Sequence, residues 1–322
     1  MNITTRRDFL KTGVTLGAAF SLADLGGLFA SDAAPVADLK LDAAGKPYLV
    51  AVRKGSRAAM LDAALKALGG IERFVKKGQT VVIKPNAAWD VAPERSANTH
   101  PELMGRLVEH CVKAGAKSVS VFDHTCDHAR DSWGGTCYVT SGIRAAVEKA
   151  GGKMAAGNDE HDYRTVSIPN GVALKETKVH KLLLDSDVFI NVPVLKHHGG
   201  ATVTIAMKNL MGAMWDRRFY HSHNLHQCIA DYISVPKLRP ALNILDAYAP
   251  MVRNGPRGKS VDDVLQGMES LLASTDIVAL DAAGARLLGH AEDEIPHVKI
   301  ASDSGYGTCR LKNVKIERIA LA

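Results

Sequence analysis

Lysines, aspartates and histidines stand directly after several short apolar runs that we interpret as β-strands. Lys84-Pro85-Asn86 follows one run and Asp123-His124 the next, while Lys196-His197-His198, Asp246 and Asp281 follow three more. In an open α/β sheet, ligands bind outside the carboxyl ends of the strands. These charged or metal-capable strand exits therefore predict one cleft, which binds an anionic small molecule.

The segment 196–202 combines charge with glycine, in the order Lys-His-His-Gly-Gly-Ala-Thr. Glycine lets the backbone approach a ligand closely, and the free N–H groups of a helix beginning at Thr202 would favour an anion. We therefore interpret Lys196 as a clamp for an anion and His198 as an acid–base group or a metal ligand. The alternative is a solvated loop in which Thr202 caps a helix.

Lys208 and Asn209 interrupt an apolar run, residues 202–211, that we predict to be a helix. A helix that is apolar elsewhere has little solvent-facing surface, so we expect Lys208 to point into the cleft. In the alternative, both residues mark the solvent side of an amphipathic helix.

A histidine-rich segment at 221–226 offers a second kind of chemistry. His223 and His226 would share a helix face, and with His198 they could form a three-nitrogen site for zinc, nickel, copper or iron. The alternative is a set of surface histidines beside a helix start. The candidate metal ligands are His198, His223, His226, Asp246 and Asp281, the two aspartates either binding the metal or supporting its ligands.

Two further segments carry polar groups. The segment 123–128, Asp-His-Thr-Cys-Asp-His, could supply ligands or a general base, although a loop of this composition needs no function. Gly255-Pro256-Arg257-Gly258 is a tight turn in which Arg257 could hold an anion, but a turn alone also needs no function. The candidate cofactor-binding residues are Lys84, Asn86, Asn209, Arg257 and Gly258.

Short β-branched runs alternate with stretches rich in Ala, Leu and Lys. The predicted strands are 48–52, 80–83, 118–122, 188–192, 242–245, 277–280 and 298–300, and the predicted helices are 57–68, 101–114, 141–150, 202–211, 223–233 and 282–288. Continuous apolar strands between helices predict a parallel sheet that is covered on both faces. We therefore expect a single α/β domain over 46–322, with a Rossmann-like, mostly parallel sheet and helices on both faces.

The amino terminus has the pattern of an export signal. Thr5-Arg6-Arg7-Asp8-Phe9-Leu10-Lys11 pairs two arginines with an apolar pair and a lysine, and a weakly apolar stretch follows over 13–29. This order is typical of a cleavable twin-arginine signal, with an amphipathic first helix as the alternative. Small residues at Ser31 and Ala33 predict a signal peptide over 1–33 and a linker over 34–45. We expect transport by the twin-arginine translocase and a periplasmic location.

Composition excludes several classes. The net charge of +6 favours anionic small molecules or an anionic membrane surface, while scattered basic residues and 5% aromatic residues give no sign of nucleic-acid binding. The five cysteines include no Cys-x-x-Cys pair, which disfavours iron–sulfur, zinc-ribbon and c-type haem sites. Cys126 and Cys137 could form a disulfide across a loop. Dinucleotide, phosphate-loop, α/β-hydrolase and His-Glu-x-x-His motifs do not occur.

Six segments of the chain resemble, in order, the bacterial and archaeal family catalogued as domain of unknown function 362. They are 82–86 (VIKPN), 99–103 (THPEL), 190–198 (INVPVLKHH), 204–212 (TIAMKNLMG), 254–258 (NGPRG) and 277–281 (IVALD). The resemblance implies the fold and the position of the cleft more than it implies a reaction. Many members of that family carry a ferredoxin-like segment with clustered cysteines, and this sequence has none.

The sequence thus predicts an exported enzyme that depends on a divalent transition metal or a redox cofactor and acts on an anionic small molecule. In this hypothesis, His198, Lys208 and Lys196 carry the chemistry. The alternative is a non-catalytic periplasmic carrier or accessory protein that serves a periplasmic redox partner.

Overall fold

The computed structural model describes residues 48–127 and 135–322. The predicted signal peptide, the predicted linker and His128 lie outside these described residues. Export and cleavage after Ala33 therefore stay predictions. Within the two described ranges, every helix is too short or too polar to cross a membrane.

Strands and helices alternate along most of the described chain. The strands are β1 (Tyr48–Arg53), β2 (Thr80–Pro85), β3 (Ser118–Val121), β4 (Lys153–Met154), β5 (Tyr163–Ser167), β6 (Glu176–His180), β7 (Val188–Val192), β8 (Val194–His198), β9 (Thr202–Thr204), β10 (Leu242–Met251), β11 (Ser270–Ser274) and β12 (Lys315–Ala320). The helices are α1 (Arg57–Ala67), α2 (Pro101–Lys113), α3 (Cys137–Thr140), α4 (Ile143–Lys149), α5 (Lys181–Asp185), α6 (Ala206–Asn209), α7 (Arg217–Ser222), α8 (Leu225–Tyr232), α9 (Ile277–Leu287) and α10 (Pro296–Asp303).

In the described part of the chain, ten strands form one sheet. Eight of them lie in the order β12-β1-β11-β10-β7-β2-β3-β4, and β8 and β9 join beside β10. The run from β10 to β4 is parallel throughout, whereas β11 is antiparallel to both of its neighbours. The predicted α/β fold with a mostly parallel sheet is therefore confirmed, with β11 and the β8–β9 hairpin as antiparallel additions.

Both faces of the sheet are covered, because successive side chains of each strand point to opposite sides. Leu49 and Ala51 of β1 belong to one core, which α6, α8, α9 and α10 cover. Val50 and Val52 belong to the other core, which α1, α2 and α4 cover. The sheet therefore holds its strand ends rigidly between two layers of helices, which confirms the predicted Rossmann-like arrangement.

Two predicted strands are helical. Residues 277–280 open α9, where the Asp276 side chain accepts hydrogen bonds from the amides of Val278 and Ala279 and so caps the helix. Residues 298–300 lie inside α10, which has a proline in its first turn. Both predictions were wrong for the same reason, since a short apolar run looks alike in a buried strand and in a fully buried helix.

The predicted helix over 202–211 is instead a strand, a short helix and a 3₁₀ turn. Thr202 has a φ of 64°, which begins the return strand β9 of a hairpin with β8 rather than a helix. The β-branched run Thr202–Ile205 favours this extended conformation. Only Ala206–Asn209 is α-helical, and Leu210–Ala213 continues as 3₁₀. The glycines at 199 and 200 therefore form the tip of a hairpin and do not lead into a helix.

The predicted Cys126–Cys137 disulfide does not form in the structure. Both residues carry free thiols, with Cys126 exposed and Cys137 buried. The Cys137 thiol lies 3.4 Å from the carbonyl oxygen of Asp127 and donates to it. Cys126 instead lies beside the Arg217 guanidinium, 3.2 Å from its nearest nitrogen.

Candidate functional site

A cavity of about 1390 Å³ lies at the carboxyl ends of β2, β3 and β8. Its lining brings together residues from three of the five predicted strand exits and from the predicted helix 202–211. The strand-exit residues are Lys84, Asn86, Asp123, Lys196 and His198, and the helix residues are Lys208 and Asn209. Arg217 and Arg218 of α7 complete the basic part of the wall. The cavity therefore collects several positive charges at one edge of the sheet.

Lys84 and Asp123 form an ion pair at the bottom of this cavity. The two side chains are 1% and 2% exposed, and Lys84 Nζ lies 2.8 Å from Asp123 Oδ1. The other carboxylate oxygen, Oδ2, accepts a hydrogen bond from the Ala87 amide at 2.7 Å. Burial lowers the pKa of Lys84, and the Asp123 carboxylate opposes that shift. This pair neutralises itself, so it fixes the loops after β2 and β3 more than it attracts a ligand.

A buried chain of asparagines links the strand ends behind the cavity. Asn209 accepts hydrogen bonds from Asn86 Nδ2 at 2.9 Å and from Lys84 Nζ at 3.3 Å. Asn209 Nδ2 donates to Asn191 Oδ1 at 2.9 Å, and Asn191 Nδ2 donates to Asn243 Oδ1 at 3.0 Å. Because each amide both donates and accepts, the chain fixes the relative positions of β2, β7, β10 and α6.

Lys196 is buried at the start of this chain. Its Nζ donates to Asn86 Oδ1 at 3.1 Å and to the Ala97 carbonyl oxygen, and its side chain is 1% exposed. Burial lowers the pKa of Lys196 to about 7, and repulsion from Lys208 and Lys84 acts in the same direction. A lysine in such surroundings exchanges its proton near neutral pH.

Lys208 lines the inner cavity, and its ammonium has neither a hydrogen-bond acceptor nor a carboxylate partner among the described residues. Helix α6 holds it in place, since the Asp281 carboxylate accepts hydrogen bonds from the Ala206 and Met207 amides at 2.7 and 3.1 Å. Burial lowers the pKa of Lys208 to about 8, with further repulsion from Arg217 and Lys84. An anion in the cavity would supply the partner that this ammonium lacks.

His198 is fixed in one tautomer by the hairpin tip. Its Nδ1 accepts hydrogen bonds from the amides of Gly200 and Ala201 at 3.0 and 3.1 Å. Burial, with Lys208 and Lys196 nearby, lowers the pKa of His198 to about 2, so the ring is neutral and carries its proton on Nε2. This tautomer suits a hydrogen-bond donor and does not suit a metal ligand, because Nδ1 already accepts two hydrogen bonds and Nε2 carries the proton.

Helix α7 and the loop after β3 form a second wall. The Arg217 guanidinium donates to the carbonyl oxygens of His124 and Thr125 at 2.7 and 2.9 Å. The His124 ring stacks on Trp215 with the centroids 5.0 Å apart. Burial lowers the pKa of His124 to about 4, and the Arg217 cation adds to that shift. These contacts hold Arg217 in a defined place beside Cys126.

The structure does not bring the five candidate metal ligands together. His198 stacks near His221, with centroids 6.2 Å apart, while His223 stacks on Phe219 and His226 pairs with His297 at 3.0 Å between their Nδ1 atoms. Among residues 48–127 and 135–322, no group of three or more His, Cys, Asp or Glu is arranged to hold a metal ion.

The two candidate aspartates have structural partners. Asp246 forms an ion pair with Arg57 at 3.1 Å and accepts a hydrogen bond from the His100 amide. Asp281 lies inside α9, where it caps α6, and burial raises its pKa to about 8. Neither belongs to the cavity lining, so Asp281 acts on the site only by positioning the helix that carries Lys208.

Arg257 and Gly258 lie apart from the basic wall. Arg257 pairs with Asp127 at 3.0 Å and is half exposed, and Gly258 packs against Met251 with a φ of 71°. Only their neighbour Pro256 reaches the cavity lining. The contacts of Arg257 with Asp127 and of Gly258 with Met251 therefore explain the turn without a bound anion.

Sequence reasoning missed the aromatic part of the cavity. Trp89, Trp215, Phe219 and Tyr220 line it together with the basic groups. The tetrapeptide Trp215–Arg218 was the available signal, since two arginines directly follow a tryptophan and an aspartate that caps α7. The cavity thus offers a basic region and an aromatic region to one ligand.

Comparison with known proteins places the chain in a family. The model of the domain of unknown function DUF362 matches residues 81–286. A thylakoid-associated protein of Synechocystis sp. is 30% identical over 239 residues, which cover 70% of this chain and 68% of that protein.

Two solved structures align with the chain at low sequence identity. The lactate racemase apoprotein of Thermoanaerobacterium thermosaccharolyticum is 13% identical with a TM-score of 0.42, and a Thermotoga maritima protein is 10% identical with a TM-score of 0.44. Each alignment covers 76% of this chain, which spans only 57% and 59% of the two solved chains. The extent of the family match and of the Synechocystis alignment shows that the chain belongs to the DUF362 family.

Proposed function

We propose that the cavity binds an anionic small molecule and that the protein is an enzyme acting on it. The observation that carries this proposal is Lys208, a basic side chain that lines the cavity and has no acceptor among the described residues. Lys208 is partly exposed inside the cavity, where its ammonium has no carboxylate partner. A carboxylate, phosphate or sulfate group would give it a charged acceptor, and such charge-assisted hydrogen bonds are stronger than neutral ones, which gives the site a preference for anions.

The neighbouring groups support the same proposal. Arg217 also lines the cavity, held by two carbonyl oxygens, and the neutral His198 carries a proton on Nε2 that it can donate. Hydrogen bonds from charged donors to an anionic oxygen are shorter and stronger than neutral ones. Lys208, Arg217 and His198 together would orient one anionic group.

The residues of the cavity do not fit a divalent metal. In the described part of the chain no three His, Cys, Asp or Glu side chains are placed to hold a metal ion, and the positive charges of Lys208 and Arg217 in the cavity wall repel a cation. The buried Lys196 favours an enzyme over a non-catalytic carrier. Its amine loses a proton near pH 7, which catalysis can use and which the binding of an anion does not require.

Replacing Lys208 with methionine tests the proposal directly. We expect sulfate, used as the probe anion, to bind at least about tenfold more weakly, since a hydrogen bond to a charged group contributes about 1.5–3 kcal/mol. The measurement is isothermal titration calorimetry of wild type and variant at pH 7. Lys299→Met is the matched control, because Lys299 lies on α10 and its ammonium pairs with Asp303 at 2.5 Å, away from the cavity lining. Equal sulfate affinity in wild type and Lys208→Met would refute the proposal.

Export by the twin-arginine route remains part of the proposal and rests on the sequence alone. Amino-terminal sequencing of the protein recovered from the periplasm should begin near Ala34. Recovery of the uncleaved chain in the cytoplasm alone would contradict it.

A further inference from the structure

Lys196 is held in a way that differs from every other lysine of the cavity. Its Nζ has two hydrogen-bond acceptors, Asn86 Oδ1 and the Ala97 carbonyl oxygen, and neither carries a formal charge. Asn86 is itself fixed, because its Nδ2 donates to Asn209 Oδ1. The amine nitrogen therefore has a fixed position at the edge of the cavity while its side chain is 1% exposed.

Two acceptors match the needs of a neutral amine. A neutral –NH₂ group has two N–H bonds and one lone pair, so Asn86 and Ala97 satisfy both N–H bonds and leave the lone pair available. An ammonium would carry a third N–H for which the described residues offer no acceptor, and an unsatisfied charged donor in a buried place is costly. Burial, followed by the charges of Lys208 and Lys84, lowers the pKa of Lys196 to about 7.

We propose that Lys196 is the nucleophile of this cavity and forms a Schiff base with the carbonyl carbon of an anionic aldehyde or oxo acid. This inference rests on the proposed function, since the anionic group must be held by Lys208 and Arg217. The Lys196 nitrogen attacks the carbonyl carbon and forms a carbinolamine. The C–O bond then breaks, the oxygen leaves as water with the two amine hydrogens, and a C=N bond to Nζ remains.

Of the other lysines that line the cavity, Lys175 binds the Gly171 carbonyl oxygen and Lys178 pairs with Glu160. Lys84 and Lys208 are also less suited to this role than Lys196. Lys84 Nζ lies 2.8 Å from a carboxylate that stabilises its ammonium form. Lys208 has no acceptor among the described residues to fix a neutral amine, and its free charge is what the anionic group requires. The charged or titratable groups that face Lys196 include Lys208, Lys84, Asp123, Cys126 and His198. Of the three lysines, Lys196 therefore combines a fixed nitrogen with an available lone pair.

Borohydride trapping tests this role on the wild-type protein. The probe is pyridoxal 5′-phosphate, an anionic aldehyde, and its control is pyridoxal, which has the same aldehyde without the phosphate. After reduction, peptide mapping by mass spectrometry locates the adduct. We expect pyridoxal 5′-phosphate to label Lys196 ahead of all other lysines, and pyridoxal to label it at least about tenfold less at equal concentration, because the phosphate contact with Lys208 is missing.

The variants separate this inference from the proposed function. Lys196→Arg should lose the adduct, whereas Lys208→Met should weaken both the adduct and sulfate binding. An adduct on Lys208 or on scattered surface lysines, with sulfate still bound, would overturn the role of Lys196 and leave the anion site intact. Absence of both sulfate binding and the adduct in wild type would overturn both proposals. Because the mapping uses wild-type protein, the result does not depend on how well Lys196→Arg folds.

Discussion

Replacing Gly212 with alanine is expected to destabilise the protein by about 3 kcal/mol or more. A Cβ atom at this position would lie 1.9 Å from Asp123 Oδ1 and 2.6 Å from Lys84 Nζ, closer than any non-bonded contact allows. The added methyl group would therefore force the buried ion pair apart. Breaking a buried pair typically costs about 3–5 kcal/mol, and overpacking adds to that cost. Urea unfolding of wild type and variant measures the loss.

Gly199→Ala is the control for this substitution. Gly199 lies at the tip of the β8–β9 hairpin, where the nearest neighbour of an added Cβ would be the Gly255 carbonyl oxygen at 3.8 Å. We expect a change below about 1 kcal/mol, as for other substitutions that meet no neighbour. Unfolding of Gly212→Ala and Gly199→Ala at the same urea concentration would contradict the close packing of the 3₁₀ turn Leu210–Ala213 against the Lys84–Asp123 ion pair.

Replacing Lys84 with methionine is expected to cost about 3–5 kcal/mol, because it leaves the Asp123 carboxylate buried without its partner. Methionine has a similar length, so packing changes little and the lost charge dominates. The measurement is again urea unfolding. Arg164→Met is the control, since the Arg164–Asp185 pair is 54% and 61% exposed and such pairs contribute only about 0–1 kcal/mol. Equal losses in the two variants would contradict a structural role for the Lys84–Asp123 pair.

The sequence predicted the fold class and the composition of the cavity for one physical reason. Parallel strands end at the same edge of a sheet, so polar residues that follow buried strands meet there. Lys84 and Asp123 obey this rule, because Lys84 is near the end of β2 and Asp123 lies two residues after β3. Lys196 instead lies in the middle of β8, a strand that the sequence did not predict, and still lines the cavity. Lys208 reaches the same cavity from α6.

The rule failed where the secondary structure was misassigned. Asp281 follows a run that is the first turn of a buried helix, so its carboxylate meets backbone amides of α6 instead of the cavity. Asp246 lies inside the ten-residue strand β10, which continues to Met251, and its partner Arg57 comes from α1. Such partners are distant along the chain, and a single sequence gives no signal for them.

The tautomer of His198 could not be predicted either. It depends on the amides of Gly200 and Ala201, which turn toward Nδ1 only because the chain forms a hairpin at this point. Had the segment begun a helix, the same histidine could have offered Nδ1 to a metal. The backbone conformation of two residues thus decides whether His198 donates a hydrogen bond or binds a cation.

The uptake of protons on anion binding tests the central claim most directly. Burial lowers the pKa of Lys208 to about 8, and a bound anion stabilises the ammonium and raises that pKa again. At pH 8, Lys208 should therefore take up about 0.4 of a proton from solution when sulfate binds, for a rise of about one pKa unit. The sulfate affinity should fall as the pH rises from 7 to 9. Calorimetry in two buffers of different ionisation enthalpy measures the uptake, which should decrease in Lys208→Met. Sulfate binding without proton uptake, at an affinity that is equal at pH 7 and pH 9, would contradict an anion site built on Lys208.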